Sequence, residues 1–327
     1  MSEPPADPVV SVVMSVFNGG TKLPRTIDSI LNQTFTNFEF LIVDDGSTDN
    51  SLKILEEYAH ADSRIRIISQ SNQGLTKSLN TACFAARGTF VARQDVGDSS
   101  FPERLLTQIR YFDSHPDVVA VGTRALRIGP GNEPLGLTPN RSADAVMHDL
   151  LMHGRGLVHA ASSFRVSAFR KIGGYRDEFR IAQDIDLWLR LSEVGCLIET
   201  AEILFSVEFE ISGISGRNHA AQDQLARLAL KSLDLRRNNL SDSAVLDEVR
   251  TICDTKTASV HDPKQERCLA NYFIGSQLFA LRDRRTRHYL VAALDSPRVF
   301  LRAFAKLLVS LWYCRRVVTN AQILDEA

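Results

Sequence analysis

No two cysteines of this chain are spaced as CxxC, and the five present (Cys83, Cys196, Cys253, Cys268 and Cys314) leave one over in any pairing. A disulfide framework and a cysteine zinc site are therefore not expected, and reduced thiols in a cytosolic protein are the simplest reading. No uncharged apolar run approaches the ~20 residues that a membrane-spanning helix needs. The longest, Leu307 to Cys314, falls far short. The opening MSEPPADPVV has acids and prolines where a signal peptide would have a basic start and an apolar stretch. An excess of one charge is also missing. With 38 Lys+Arg against 39 Asp+Glu the formal net charge is −1, so no nucleic-acid partner is expected. The first strand-like segment is not followed by G-x-G-x-x-G, which argues against a dinucleotide-dependent dehydrogenase.

Of the 327 residues, 44% are hydrophobic and 24% charged, the balance of a soluble globular protein with room for one large domain or two. The first half alternates strand and helix patterns. Val9–Val16, Phe38–Val43, Arg64–Ser69, Thr89–Ala92 and Val118–Ala125 read as strands, rich in β-branched and apolar residues. Between them, helical faces recur: Leu23, Ile27, Ile30 and Leu31; Leu52, Leu55 and Tyr58; Gly74–Ala86; Phe101–His115. This order predicts an α/β fold with a mainly parallel sheet, whose ligands bind at the carboxyl ends of the strands. Gly129–Pro139 reads as an irregular loop. From about His219 the pattern becomes almost wholly helical, which suggests a catalytic domain over 1–218 and a helical region over 219–327.

Three acidic clusters fall where strands should end or helices begin. Asp44-Asp45-Gly46-Ser47 can accept hydrogen bonds from a base edge or a ribose, or can simply cap a helix. Asp95-Val96-Gly97-Asp98 can share a divalent cation, or form a polar turn. Gln183-Asp184-Ile185-Asp186 opens a helix whose dipole favours acids in its first turn; alternatively one carboxylate is a general base. Arg93 and Arg104 suit a diphosphate, although surface salt pairing is the commoner use of Arg.

In this order the clusters resemble glycosyltransferase family 2, the inverting nucleotide-sugar transferases of GT-A fold. Val12 to Asn18 is similar to the family's first strand and nucleotide loop. Leu41-Ile42-Val43-Asp44-Asp45-Gly46-Ser47-Thr48-Asp49 matches its most recognisable motif. Asn72, Gly74 and Asn80 resemble the spaced residues of the next helix. Gln94 to Asp98 with Phe101-Pro102-Glu103-Arg104-Leu105 resembles the metal segment. Gly173-Gly174-Tyr175 and Gln183 to Arg190 resemble the acceptor side, and the likeness spans roughly 9–215.

The resemblance implies that Ser15, Phe17, Asn18, Asp44, Asp45, Asn72 and Asp95 bind the nucleotide sugar, with Phe17 stacking at the base. Asp95 and Asp98 would hold Mn2+ or Mg2+, Asp184 would be the catalytic base, and Asp186 and Trp188 would lie on the acceptor side. The chain departs from the pattern at Gly97, where a middle carboxylate is usual, and at Gln183, where Glu is usual. Glu208 and Glu210 stand where relatives often have a basic residue, leaving Arg217 or His219 to supply that charge.

Between Arg282 and Arg316, nine basic residues face two acidic ones, a balance of seven positive charges. Arg298, Arg302, Lys306 and Ser310 form a narrow polar stripe beside a broad apolar face, so 298–316 can lie on a membrane or pack against protein. The expected protein is a cytoplasmic glycosyltransferase, with peripheral contact at the inner face of the membrane. It would transfer sugar from a nucleotide-sugar donor to a glycan or lipid-linked acceptor in cell-surface polysaccharide or lipopolysaccharide synthesis. The alternative reading, motivated by Gly97 and Gln183, is a nucleotide-sugar-binding protein with weak or no transfer.

Overall fold

The computed structural model describes residues 7–209, 219–257, 262–314 and 316–325. Four strands, β1 (Val10–Val16), β2 (Phe38–Asp44), β3 (Ile65–Ser69) and β4 (Phe90–Arg93), lie parallel in the order β3-β2-β1-β4. Both faces of β1, β2 and β4 are buried. Val12, Met14, Phe40 and Ile42 belong to one apolar cluster, Val13, Leu41, Val43 and Val91 to another. That is why the strands read as continuous apolar runs rather than as alternating ones.

Helices supply the covering layers. α1 (Leu23–Leu31), α2 (Ser51–Ala61) and α4 (Arg104–Ser114) place Leu23, Ile27, Leu55, Leu105 and Phe112 on the first face. α3 (Leu75–Ala85) places Leu79, Ala82 and Cys83 on the second. Beyond β4 the sheet continues antiparallel through β8 (Ser163–Arg165) and β6 (Val118–Ile128), after which β9 (Cys196–Glu208) and β5 (Ser99–Ser100) follow in order. The expected fold class and the parallel sheet are both present.

Two elements differ from the pattern in the sequence. The expected loop after residue 128 contains a short strand, β7 (Pro134–Leu137), which returns antiparallel along the end of β6. β9 was not legible, because Glu199, Thr200 and Glu202 interrupt its apolar residues. Glu199 is buried all the same, held 3.1 Å from Arg141 Nη2.

The described residues form two compact units that interleave along the chain. One contains 7–124, 140–205 and 222–254; the other contains 125–139, 206–209, 219–221 and the described residues from 255 onward. The first unit includes α5 (Ala143–His153), α6 (Val166–Lys171), α7 (Gln183–Leu191), most of α8 (His219–Arg237) and most of α9 (Ser243–Thr257). The division therefore does not follow a single cut at 218. Leu225, Leu233, Val245 and Val249 sit in the same apolar cluster as Leu150 and Trp188, so helical sequence alone did not mark the boundary.

The second unit has its own core, made by α10 (Pro263–Ala280), α11 (Thr286–Ala293), α12 (Phe300–Tyr313) and β7, with α13 (Asn320–Asp325) following. Ile274, Leu278, Leu290 and Ala303 are fully buried there. Among the described residues, no helix is long and apolar enough to cross a membrane.

Candidate functional site

Parallel register brings Val16 opposite Asp44, and Asp44 opposite Ser69, at the carboxyl ends of β1, β2 and β3. The two aspartates of the motif then do different things. Asp45 accepts from Gln70 Nε2 and the Gln73 amide (2.8 and 2.9 Å) on one oxygen, and from the Gly74 amide (2.8 Å) on the other. Its carboxylate is therefore committed to holding the 70–74 loop at the start of α3. In Asp44, by contrast, Oδ1 is buried without a hydrogen-bond partner. An unpaired buried acceptor is costly, so this oxygen is free to take an outside donor.

Asn18 joins this loop to the first. At a left-handed φ of 54° its amide donates to Ser47 Oγ (3.0 Å), and its side-chain oxygen accepts from the Thr48 amide (2.8 Å). Phe17 beside it is 53% exposed, which excludes a core role. Ser15 is half-buried and Asn72 exposed on the same rim. Gly46 has φ of 76°, and a Cβ there would meet the Asn72 amide nitrogen at 2.8 Å. Gly46→Ala should therefore cost about 1–3 kcal/mol of stability and weaken donor affinity with it. Denaturant melts with and without a nucleotide sugar check both effects.

β4 ends in Arg93, whose guanidinium is fully buried and pairs with Asp95, itself 39% exposed. Arg104 is fully buried too, donating to Ser100 Oγ (2.8 Å) and to the main-chain oxygens of Arg93 (2.7 Å) and Ser162 (3.2 Å). Both positions overturn the surface-pairing alternative. Burial, followed by the nearness of Arg93, pulls the Arg104 pKa down to about 9, while Asp98 and Asp95 oppose the fall. Asp98 is buried and serves this interior charge balance. Gly97, at φ of 95°, lets the turn between the two acids close; its carbonyl accepts from Arg25 and its amide donates to Thr26 Oγ1 (3.0 Å).

Asp184 stands in the first turn of α7, after Ala182 in the left-handed conformation (φ 59°). Ala182 carries this backbone strain at the point where α7 starts. Burial raises the pKa of Asp184, backbone amides at 184 and 185 oppose the rise, and Asp95 adds to it. Asp95 and Asp184 are thus close enough to act on each other. Behind them His159 Nε2 meets Tyr175 Oη at 2.7 Å, and the His159 ring packs edge-on to Trp188. Burial and then Arg93 hold His159 well below its ordinary pKa, so it is neutral and no cation for the diphosphate.

The structure thus gathers Asp95, Asp184 and Arg93, with Phe17, Asn18 and Asp44 on the strand-end rim of the same unit. Two expected acceptor-side residues are elsewhere. Asp186 is buried and paired with Arg190 (2.7 Å), and Trp188 is fully buried against Gly156 and His159. They support α7 from inside and do not face an acceptor. Asn80 Nδ2 donates to the Tyr175 main-chain oxygen and Asn80 Oδ1 accepts from the Tyr175 amide (2.9 Å each), a clamp on the Gly173-Gly174-Tyr175 turn. Glu210, Arg217 and the side chain of His219 lie outside the described residues. The half-buried His159 had no sequence signal, since a lone His between apolar residues shows neither partner nor depth.

A family model described as "Glycosyl transferase family 2" matches residues 11–173. EpsE of Bacillus subtilis, a protein named as a glycosyltransferase, is 38% identical over 193 residues, covering 58% of this chain and 68% of that one. Chondroitin synthase of Escherichia coli is 29% identical over 234 residues, covering 68% of this chain and 34% of the synthase. Two solved structures share the fold. TarS 1–349 of S. aureus, in complex with UDP-GlcNAc, has a TM-score of 0.57 at 17% identity and covers 92% of this chain and 88% of that one. The mannosyltransferase PcManGT of Pyrobaculum calidifontis, in complex with GDP-Man and Mn2+, has a TM-score of 0.54 at 16% identity and covers 94% and 88%.

Proposed function

The chain belongs to glycosyltransferase family 2 and is a transferase, and on that premise we propose that it moves a sugar from a nucleoside diphosphate donor to an acceptor hydroxyl with inversion. The acceptor is a glycan or a lipid-linked glycan of cell-surface polysaccharide synthesis, a reading supported by the relatives EpsE and chondroitin synthase. The observation that carries the chemistry is that the paired charges of Asp95 and Arg93 both act on Asp184, the carboxylate raising its pKa and the guanidinium lowering it.

Each side chain has a role that its surroundings permit. Phe17 offers its exposed ring to the base, and Asp44 Oδ1 accepts a base or ribose donor. Asp45 acts one step back by fixing the 70–74 loop. Asp184 takes the proton of the acceptor hydroxyl. That oxygen bonds to the anomeric carbon as the carbon–phosphate oxygen bond opposite it breaks, and the electron pair leaves with the nucleoside diphosphate.

Divalent cations take oxygen ligands from one or two carboxylates together with substrate phosphates. Asp95 fits, because only part of its carboxylate is engaged by Arg93 and the group reaches solvent. Among the described residues Asp95 belongs to no group of three side chains within ligand spacing, so the diphosphate would supply the remaining oxygens. When bound, Mn2+ or Mg2+ offsets the charge that develops on the leaving diphosphate.

Thermal shift against UDP-, GDP- and dTDP-sugars identifies the donor, since a ligand of the folded state raises stability. Proton NMR of the product then gives the anomeric configuration. Retention sinks the mechanism; binding with neither transfer nor hydrolysis leaves only the nucleotide-sugar-binding alternative. Phe17→Ala should weaken donor binding by ~10-fold, within the range of about 1–3 kcal/mol that one base–aromatic stack contributes. Its own melting temperature should not change, because the ring is exposed. Isothermal titration checks the first effect and a donor-free melt the second.

A further inference from the structure

Helix α12 turns Lys306 and Ser310 inward and most of its large apolar side chains outward. Ser310 and Ala303 are fully buried. Lys306 is half-buried, its Nζ donating to Ser276 Oγ (2.8 Å) and lying 5.0 Å from the centre of the Tyr272 ring. Arg287 Nη2 donates to the main-chain oxygens of Ser310 (3.0 Å), Leu311 (3.3 Å) and Cys314 (2.9 Å), closing the carboxyl end of the helix. These polar contacts pin the rotation of α12 about its axis. Leu301 and Trp312 are each 78% exposed as a result, and Leu308, Val309 and Leu311 each about half exposed. A soluble monomer places such a helix the other way round, so a contiguous apolar face of this kind marks an interaction surface.

The charges around that face have one sign. Arg298, Arg302 and Arg316 are exposed, and Arg282 lies over the Tyr313 ring at 4.5 Å. Of the two acids in this stretch, Asp283 is buried in an ion pair with Arg285, and Asp295 pairs with Lys264 (3.4 Å). A self-complementary two-fold contact would bring a rim of arginines near its own copy. An anionic lipid surface meets the apolar face with acyl chains and the arginines with phosphates.

We propose that α12 docks this unit flat on an anionic bilayer, with Leu301, Leu308, Leu311 and Trp312 at the boundary of headgroups and acyl chains. Arg298, Arg302 and Arg316 lie at the level of the phosphates. The inference is independent of the reaction proposed above; it concerns where the protein rests and not what it transfers.

The chain carries its own reporter. Of its two tryptophans, Trp188 is fully buried and Trp312 is 78% exposed, so a blue shift on lipid binding reads Trp312. The experiment adds vesicles of phosphatidylcholine, alone or mixed with phosphatidylglycerol, to the full-length protein. The mixed vesicles should bind and shift the emission, and high salt should weaken the binding. The triple variant L301Q/L308Q/L311Q should bind at least ~100-fold more weakly, from three lost apolar insertions. Its unchanged melting temperature and donor-induced thermal shift show that the fold and the transfer site are intact. No binding to the mixed vesicles, or equal binding to both kinds, overturns the proposal. So does a concentration-dependent dimer in analytical ultracentrifugation that the triple variant abolishes, with no vesicle binding, which would assign the face to a second copy.

Discussion

Asp184→Asn should cut turnover by ~10²–10⁴, the contribution of a positioned base, while leaving donor affinity near that of the wild type. Asn is nearly the same size and keeps the start of α7, but it cannot take the acceptor proton. The same substitution should raise the melting temperature at neutral pH. Burial, opposed by nearby backbone amides and reinforced by Asp95, holds the folded-state pKa of Asp184 above its ordinary value. The folded protein therefore binds this proton more tightly than the unfolded chain does. The associated stability is complete below the ordinary carboxylate pKa and is lost as pH rises through the raised one. At neutral pH the ionised wild-type side chain carries that penalty and Asn does not. Rate has the opposite dependence: the base is competent only when ionised, so turnover should climb with pH along an acid limb displaced above the usual carboxylate range. Stopped assays across pH, with calorimetric melts of both proteins, check the pair of effects. A variant that is slow but no more stable would show that Asp184 is not held in a desolvated place; wild-type turnover would remove it from the role of base.

The motif Asp44-Asp45-Gly46 was legible in the sequence because strand, turn and helix signals meet there. Its division of labour was not. Asp45 finds its partners at Gln70, Gln73 and Gly74, across a whole strand and helix, and no local pattern encodes a contact at that separation. Arg93 and Arg104 look like surface residues by type, since arginine is seldom fully buried without a partner. What accompanies their burial is the place of β4 between β1 and β8, with Arg93 as its last residue, and the hydrogen bonds of Arg104 to Ser100 Oγ and the main-chain oxygens of Arg93 and Ser162. Asp186 and Trp188 were misread for the converse reason. They share α7 with Asp184, but Asp186, two residues on, points to another face, and Trp188, on the same face one turn further along, is covered by Gly156 and His159. Amphipathicity showed that α12 has an apolar face, but which side meets protein depends on Ser276, Tyr272 and Arg287, all distant in sequence.

The pair Arg93–Asp95 allows support and chemistry to be separated. Asp95→Ala removes the ion-pair partner of a guanidinium that has no exposure at all. Breaking a buried pair from one side costs about 3–5 kcal/mol, and the partial exposure of Asp95 discounts this to about 1–3 kcal/mol. Transfer should also fall by ~10²–10³, as when one preorganised electrostatic group is lost from an active site. Part of any such loss could be folding alone, and a second substitution removes that ambiguity. Arg93→Leu on the Asp95→Ala background takes away the stranded charge and its repulsion of Arg104, whose own pKa Arg93 depresses. The double variant should regain most of the stability lost by the single one, because replacing both partners of a buried pair with apolar groups is often neutral. It should regain none of the transfer, because the carboxylate proposed to face the diphosphate is still missing. Urea melts and donor turnover on the wild type, both single variants and the double complete the cycle. Recovery of activity along with stability would make Asp95 a residue that supports Arg93 and nothing more.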